Sequence, residues 1–504
     1  MPRAETPPVW SSFALDPSSP LSRQEQIAAH LRAAVLSGRL RAGTRLPSTR
    51  RLAADLGVAR QTAVLAYDRL VAEGYVEGRA GAGTRVAAGL SETLPGAGRA
   101  APAGGRAAPP APSRRGRALA GTPLAATPPR TPGRPGWLAP GTPALDLFPS
   151  AEWDRAARRS ARVLAAPAVL DYGDPRGSAD LRGAIADHYG AARGVAVPAD
   201  RILVTSGAQQ AIALCAAVLL DPGDRVVVED PGYVAGRGAL AAAGAVPVAV
   251  PVDREGLDLE AAARLAPDAR AAFATPSHQY PLGVVMSLAR RLALVDWARA
   301  ADGWILEDDY DGEFRYAGRP LPPLQSLSDE AARRTVYLGT FSKTLAPGLR
   351  LGFAAVPDGL ADAFARARAL LDRQPPEPVQ ATLARFMAEG RFAAHLRRMR
   401  DAYRVRRDVL FDALDRARRA GSPLDPGPAP PDAGLHLAAA LPDGADDAAA
   451  AREAARRGLR VPALSAFAAG PAHLRRGLVI GYGGTPPDAI PAAAAALQEA
   501  VRSA

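Results

Sequence analysis

The segment Gly339-Thr-Phe-Ser-Lys-Thr-Leu-Ala-Pro-Gly-Leu-Arg-Leu-Gly352 decides how this chain is read, because Lys343 within it is the only lysine among 504 residues. The chain has 62 basic residues, and all the others are arginine. A guanidinium does everything a surface cation needs and stays protonated, whereas only a primary amine can lose its proton and condense with an aldehyde. Position 343 is therefore expected to need the amine.

Working outward, the strand-like run Thr335-Val-Tyr-Leu-Gly339 precedes this segment. Similar buried-type runs at Arg201-Ile-Leu-Val-Thr205, Arg225-Val-Val-Val-Glu229 and Gly303-Trp-Ile-Leu-Glu307 alternate with helical stretches from Ala144 onward. That alternation predicts an α/β fold with a mostly parallel sheet. Such sheets bind ligands at the C-terminal ends of their strands. In Ile305-Leu-Glu-Asp-Asp-Tyr-Asp-Gly-Glu-Phe314 a strand delivers acidic groups to that end. In Thr205-Ser-Gly-Ala-Gln-Gln210 a small-residue turn precedes the apolar helix Ala211 to Leu220, so its amides can cradle a phosphate. The single cysteine, Cys215, falls in this apolar run and reads as core. One cysteine rules out a disulfide framework within the chain and fits a reducing compartment. With no signal-peptide pattern and no apolar run long enough to cross a bilayer, the cytoplasm is expected, with no membrane partner. No metal site is expected.

The N-terminal part has a different pattern. A helix from about Arg23 to Ser37 places Ile27, Leu31, Val35 and Leu36 at helical spacing and stops at Gly38. Ser48 is the candidate N-cap of a second helix, which turns Leu52, Ala53 and Leu56 inward and ends at Gly57. A third, from about Arg60 to Glu73, carries Val64, Tyr67, Leu70 and Val71 on its apolar face, and Tyr75 to Val86 reads as a glycine-turned hairpin. Residues 1–88 thus form one small domain. Residues 89–143 are Pro, Ala, Gly and Arg with little bulky apolar surface, which predicts a flexible linker. Residues 144–504 form the large domain.

The formal net charge of +11 lies entirely in the first two parts. Residues 1–88 hold twelve arginines against seven acids and residues 89–144 hold seven against one, while 43 of each sign remain in residues 145–504. Such asymmetry points to a polyanion partner for the N-terminal part. For residues 89–144 alone, a basic drift in an Arg-rich linker is an equal reading.

The run from Leu46 to Gly74 resembles the winged helix-turn-helix of GntR-type regulators, over about residues 20–88. The resemblance implies binding of double-stranded DNA. Arg60, Gln61 and Thr62 form the donor-rich start of the recognition helix, and Ser48, Arg50 and the wing residues Arg79, Gly81 and Gly83 make backbone or groove contacts. From residue 144 onward the chain resembles fold-type I pyridoxal-phosphate enzymes, the aminotransferase family. By that resemblance Lys343 carries the cofactor as a Schiff base. Arg350 clamps its phosphate, Thr340 and Ser342 supply hydroxyls beside it, and Gly348 and Gly352 let the backbone crowd around it. Gly207, Ala208 and Gln209 are the further phosphate contacts. Asp308 faces the pyridine nitrogen, with Asp309 competing, and Tyr310 reaches the phenolic oxygen. Tyr233 stacks on the ring or is a core tyrosine. Tyr172 reaches the partner subunit's phosphate, which implies a homodimer.

Together the halves resemble the MocR/GabR subfamily of GntR regulators. Two departures bear on catalysis. Aminotransferases usually have an Asn-Pro-x-Gly turn whose asparagine holds the ring oxygen, and here Ser277-His-Gln-Tyr-Pro-Leu-Gly283 puts Tyr280 in that place. The arginine that pairs with a substrate α-carboxylate aligns with Val479. Arg475 and Arg476 lie just upstream, either as substitutes or as solvated strand-edge charges. His278 is either an extra acid-base group or a structural histidine. A regulator sensing pyridoxal phosphate, an amine or an amino acid is therefore expected, with a working aminotransferase carrying a DNA-binding arm as the alternative.

Overall fold

The computed structural model describes residues 13–79, 83–88, 111–122, 133, 136–164, 171–318, 322–470 and 474–504. The chain divides into two compact units, Met1–Ala111 and Pro112–Ala504.

In the first unit, α1 (Arg23–Leu36) opens on a capping box in which Ser22 and Glu25 satisfy each other's backbone N–H groups. Thr49–Leu56 forms α2, and the left-handed Gly57 closes it. Arg60–Ala72 forms α3, followed by the antiparallel hairpin β1 (Val76–Arg79) and β2 (Gly83–Val86). Ile27, Leu31, Leu52, Tyr67, Leu70, Val76 and Val86 make the core. The inward face of α3 is Ala63, Ala66, Tyr67 and Leu70, whereas Val71 is 47% exposed and Val64 only half-buried. The expected face was rotated, because two alanines, too small to signal burial by themselves, let α3 pack closely. Leu36, expected inward, is likewise exposed.

The second unit is built on an eight-stranded sheet. Its strands are β3 (Ile202–Thr205), β4 (Arg225–Asp230), β5 (Val246–Asp253), β6 (Gly256–Leu257), β7 (Ala271–Ala274), β8 (Trp304–Asp309), β9 (Thr335–Thr340) and β10 (Gly352–Ala355). Their spatial order is β3-β10-β9-β8-β7-β4-β5-β6. β5, β4, β7, β8 and β9 run parallel, while β10 is antiparallel to both neighbours. Every residue of β3, β7, β9 and β10 is buried, which explains their continuous apolar runs. A second, two-stranded sheet pairs β11 (His436–Ala440) with β12 (Gly477–Gly481), and the helix Arg391–Arg419 packs on the C-terminal helix Ile490–Arg502.

One pairing positions the site. Gly352, at the start of β10, lies opposite both Thr205 and Thr340, so the C-terminal ends of β3 and β9 meet there. A β-carbon on Gly352 would come within 2.9 Å of the Gly207 Cα and of the Gly339 carbonyl, so only glycine lets the strands close. Gly348 has open space around it and is under no such demand.

The segment expected to be linker is not uniformly so. Arg114–Ala120 is helical. Trp137 bridges to Leu459, Leu138 is fully buried, its N–H donates to the Thr485 hydroxyl, and its carbonyl accepts from Gly481. Residues 136–143 therefore belong to the large unit. Leu138 and Trp137 join the large unit's core while backbone hydrogen bonds hold the rest, and two bulky apolar side chains among Pro, Gly and Ala leave a composition that resembles a linker.

Candidate functional site

A cavity of about 310 Å³ opens at the strand ends of the large sheet, lined by residues including Lys343, Asp308, Tyr310, Thr340, Ser342 and Arg350. Lys343 stands on the short helix Phe341–Thr344, whose start is capped by the Thr340 hydroxyl accepting the Ser342 N–H at 3.1 Å. Its ammonium donates to the Gly141 carbonyl at 2.7 Å. Burial pushes the Lys343 pKa down, against the pull of Asp311 and Asp308, and Arg350 adds to the downward push.

The two adjacent aspartates have opposite surroundings, since side chains alternate along β8. Asp308 lines the cavity, and its Oδ1 is buried without a hydrogen-bond partner. Burial, with Asp309 and Asp311 nearby, pushes its carboxyl up to about 7, while Lys343 opposes. Asp309 points away into an ion pair with Arg193 at 2.6 Å and accepts from the Tyr337 hydroxyl at 2.6 Å. Burial is the largest influence on it and would raise its pKa, but the Arg193 charge together with hydrogen bonds from Tyr337, Arg193 and Ser277 outweighs burial and holds the carboxyl low.

Tyr310 is held from behind. Its hydroxyl donates to the His278 carbonyl at 2.9 Å and lies 3.0 Å from His278 Nδ1, which is also 3.0 Å from the Asp311 carboxylate. His278 is buried and does not line the cavity, so it orients Tyr310. His278, Asp311 and His436 each bring one possible metal-ligand atom within 4.8 Å of the others, and the His278–Asp311 hydrogen bond already occupies two of these groups.

At the other end, Gly207 (φ +104) caps the helix Ala208–Leu219. A β-carbon there would sit 3.1 Å from the Arg350 guanidinium, which donates to the Ser206 carbonyl. Arg350 itself has φ +50, a left-handed conformation that costs an arginine about 1 kcal/mol or more, and it lines the cavity. Ala208 and Gln209 line the cavity, and Gln209 accepts from the Tyr233 hydroxyl at 3.3 Å. Tyr233 also lines it, and burial pushes its hydroxyl up to about 12.

Three expected residues lie elsewhere. Tyr172 is 74% exposed beneath the Arg373 guanidinium, 4.4 Å from its ring centre, and is not part of its own chain's cavity lining. Arg475 donates to the Val252 carbonyl at 2.6 Å, and Arg476 pairs with Asp447 at 3.1 Å. Neither reaches the cavity, because both precede β12 and are taken up by groups beside its start. Sequence reasoning missed Pro140, Gly141, Val234, Ala235, Thr275, Pro347 and Phe467 as lining residues. Thr275, the residue after strand β7, and Pro347, inside the segment around Lys343, carried a signal.

In the N-terminal unit, Arg50, Arg60 and Gln61 are exposed and Thr62 is half-buried at the start of α3, whose cap, Ala59, offers no side-chain acceptor. The Thr62 N–H donates to the Ala59 carbonyl at 3.0 Å, and no side chain caps the N–H groups of Arg60 and Gln61 ahead of it. Ser48 caps α2 by accepting the Arg51 N–H at 3.3 Å. In the wing, Gly83 has φ +81 with the Arg45 guanidinium against it, which adds Arg45, unnoticed in the sequence, to this basic face. The Arg79 side chain and Gly81 lie outside the described residues.

Comparison with known proteins places both units. Residues 137–480 match the family model "Aminotransferase class I and II", and residues 23–86 match "Bacterial regulatory proteins, gntR family". The chain is 40% identical to the probable rhizopine catabolism regulatory protein MocR of Rhizobium meliloti, over 94% of this chain and 93% of that protein. It is 34% identical to the HTH-type pyridoxine biosynthesis transcriptional regulator PdxR of Corynebacterium glutamicum, over 97% and 98%. Aromatic-amino-acid aminotransferase 1 of Thermococcus litoralis is 31% identical over 66% of this chain and 80% of its own. Among solved structures, the α-aminoadipate aminotransferase LysN of Thermus thermophilus, complexed with N-(5'-phosphopyridoxyl)-L-leucine, matches at TM-score 0.65 and 28% identity, covering 78% of this chain and 95% of that one. The chain belongs to the aminotransferase class I and II family and, through its gntR-family N-terminal domain, to the MocR-type transcription regulators that join the two.

Proposed function

We propose that this regulator holds pyridoxal phosphate on Lys343 and responds there to the cofactor itself, or to an amine or amino acid, by changing its affinity for double-stranded operator DNA. What carries this reading is the setting of the chain's single lysine, which lines one cavity with Asp308 and Arg350.

The cavity fits the cofactor on two observations. The unpartnered Asp308 Oδ1 is an acceptor that a protonated pyridine nitrogen would satisfy. At Gly207 the absence of a side chain leaves the Arg350 guanidinium facing backbone, a cradle suited to a phosphate. When bound, pyridoxal phosphate supplies an aldehyde open to primary amines and a ring that accepts electrons. Lys343 would hold it through Nζ, its neutral form favoured by burial. Asp308 would ionise opposite the ring nitrogen and keep the proton there. The Tyr310 hydroxyl, aimed by His278, would meet the phenolic oxygen, and Tyr233 would stack on the ring. Gly207, Ala208, Gln209, Thr340, Ser342 and Arg350 would hold the phosphate. Tyr172, exposed and outside this cavity, is available to the second site of a homodimer.

The Corynebacterium relative, named for pyridoxine biosynthesis, supports the cofactor as effector. Likeness to an aminotransferase favours a second reading, a working enzyme with a DNA-binding arm. Full-length protein loaded with pyridoxal phosphate should absorb visible light, and borohydride should fix the cofactor's mass to residue 343. Operator affinity should change when the cofactor or an amine is added. Unchanged affinity together with sustained amino transfer would favour the enzyme, and no label at residue 343 would end both readings.

A further inference from the structure

One wall of the cavity is apolar where an amino-acid site would need a cation. Val479 is fully buried in β12 and forms a cluster with Val234, Leu464 and Phe467, against which Tyr280 and Leu282 pack. Val234, Tyr280 and Phe467 from this cluster line the cavity. The Tyr280 ring meets Phe467 edge-on at 5.3 Å, Tyr310 at 5.8 Å and Tyr233 at 6.2 Å, which makes a continuous aromatic surface. Among the described residues lining the cavity, the cations are Lys343 and Arg350. The function proposed above uses one for the cofactor's aldehyde and the other for its phosphate. Arg475 and Arg476 are turned to Val252 and Asp447. A carboxylate pressed against this wall would lose its hydration and gain no charged partner. A carbon skeleton would gain by the same burial.

Resting on the reading that Lys343 carries pyridoxal phosphate, we infer that the ligand admitted beside the cofactor is a primary amine with an apolar body and no α-carboxylate. Its amino group would take the place of the Lys343 amine on the cofactor's aldehyde carbon, one C=N bond forming as the other breaks and Lys343 leaving as a free amine, and its hydrocarbon part would lie on Tyr280, Phe467 and Val234. Tyr280 then acts as a selectivity residue that presents aromatic surface to the ligand, while Val479, buried in the cluster with Val234 and Phe467, brings no cation to that wall.

The test compares pairs that differ only by the carboxylate, 2-phenylethylamine against phenylalanine and isobutylamine against valine, titrated into the full chain loaded with pyridoxal phosphate. Two readouts are followed, the visible spectrum and the affinity for operator DNA. Each amine is expected to act at a concentration about a hundredfold below its amino-acid partner, the order of discrimination given by one unpaired charge in an apolar site. Equal potency, a preference for the amino acids, or a cofactor spectrum that neither class perturbs would overturn the inference and leave the cofactor-binding regulator standing. Absence of any cofactor absorbance before ligand is added would instead take down the underlying reading and the inference with it.

Discussion

Asp308 and Asp309 are adjacent in sequence, yet their amide variants should behave in opposite ways. Asp309→Asn would leave the Arg193 guanidinium buried without its countercharge, and would weaken the hydrogen bond from Tyr337. Breaking one side of a buried ion pair costs about 3–5 kcal/mol, and the amide oxygen still offers one acceptor, so about 3 kcal/mol is expected. Asp308→Asn removes a buried acid that has no counterpart at Oδ1, so at about pH 4, where that acid is protonated in the fold, cofactor-free stability should stay within about 1 kcal/mol of the parent, and above pH 7 the variant should be the more stable. The pH dependence gives a second handle. The Asp308 carboxyl is raised from its ordinary 3.8 to about 7. Its contribution to folding is therefore fully present below the unfolded value and is lost as pH rises through about 7. Asp309 is shifted the other way, so its contribution is present above the ordinary carboxylate value and is lost as pH falls. Urea unfolding of the cofactor-free full chain, followed by tryptophan fluorescence at a series of pH values, measures both. Asp308→Asn should flatten the decline in stability between pH 4 and 7, and should also weaken cofactor binding. If Asp308→Asn proved as damaging as Asp309→Asn without cofactor, the division of roles between them would be wrong.

Gly352→Ala forces a β-carbon to 2.9 Å from Gly207, and should lower the stability of the large unit by about 1–3 kcal/mol while impairing cofactor retention, read by thermal melting and absorbance. Arg60→Ala should weaken operator binding and reduce the slope of log affinity against log salt by about 1 if the side chain contacts a phosphate, measured by fluorescence anisotropy across salt concentrations. Tyr67→Phe removes the hydrogen bond from its hydroxyl to the Pro47 carbonyl at 2.9 Å, and should cost the N-terminal unit about 1 kcal/mol in chemical denaturation.

The architecture was legible wherever apolar periodicity and turn chemistry agreed. The lone lysine, the acidic end of β8 and the small-residue turn after β3, all readable in the sequence, stand on three sides of the cavity. What stayed hidden depended on partners distant in sequence. Alternation along β8 says that Asp308 and Asp309 face opposite sides, but only Arg193, on the helix Ala179–Arg193, decides which of them is claimed by an ion pair. Arg475 and Arg476 were ambiguous for the same reason, because their partners, Val252 and Asp447, belong to other elements. Residues 136–143 were misread since backbone hydrogen bonds leave no mark on composition. On α3, Ala63 and Ala66 outrank Val64 and Val71 as core, because close helix packing favours small side chains that hydrophobicity alone scores low.

The contact between Lys343 and Gly141 links these separate pieces of the fold. Lys343 stands at the end of β9 in the large sheet, whereas Gly141 belongs to the strip that is bound through Leu138 to Gly481 of the two-stranded sheet. Gly141 has φ +69, and a β-carbon on it would press on Nζ at 3.1 Å, so glycine permits the approach. A ligand that claims Nζ must take it from the Gly141 carbonyl. If Lys343 holds the cofactor as proposed, the cofactor-bound and cofactor-free states of the large unit would differ in whether the large sheet and the strip are tied at this point. A ligand shifts a conformational equilibrium only through contacts that differ between states, and exchange of this hydrogen bond for a ligand is one such difference built into the site.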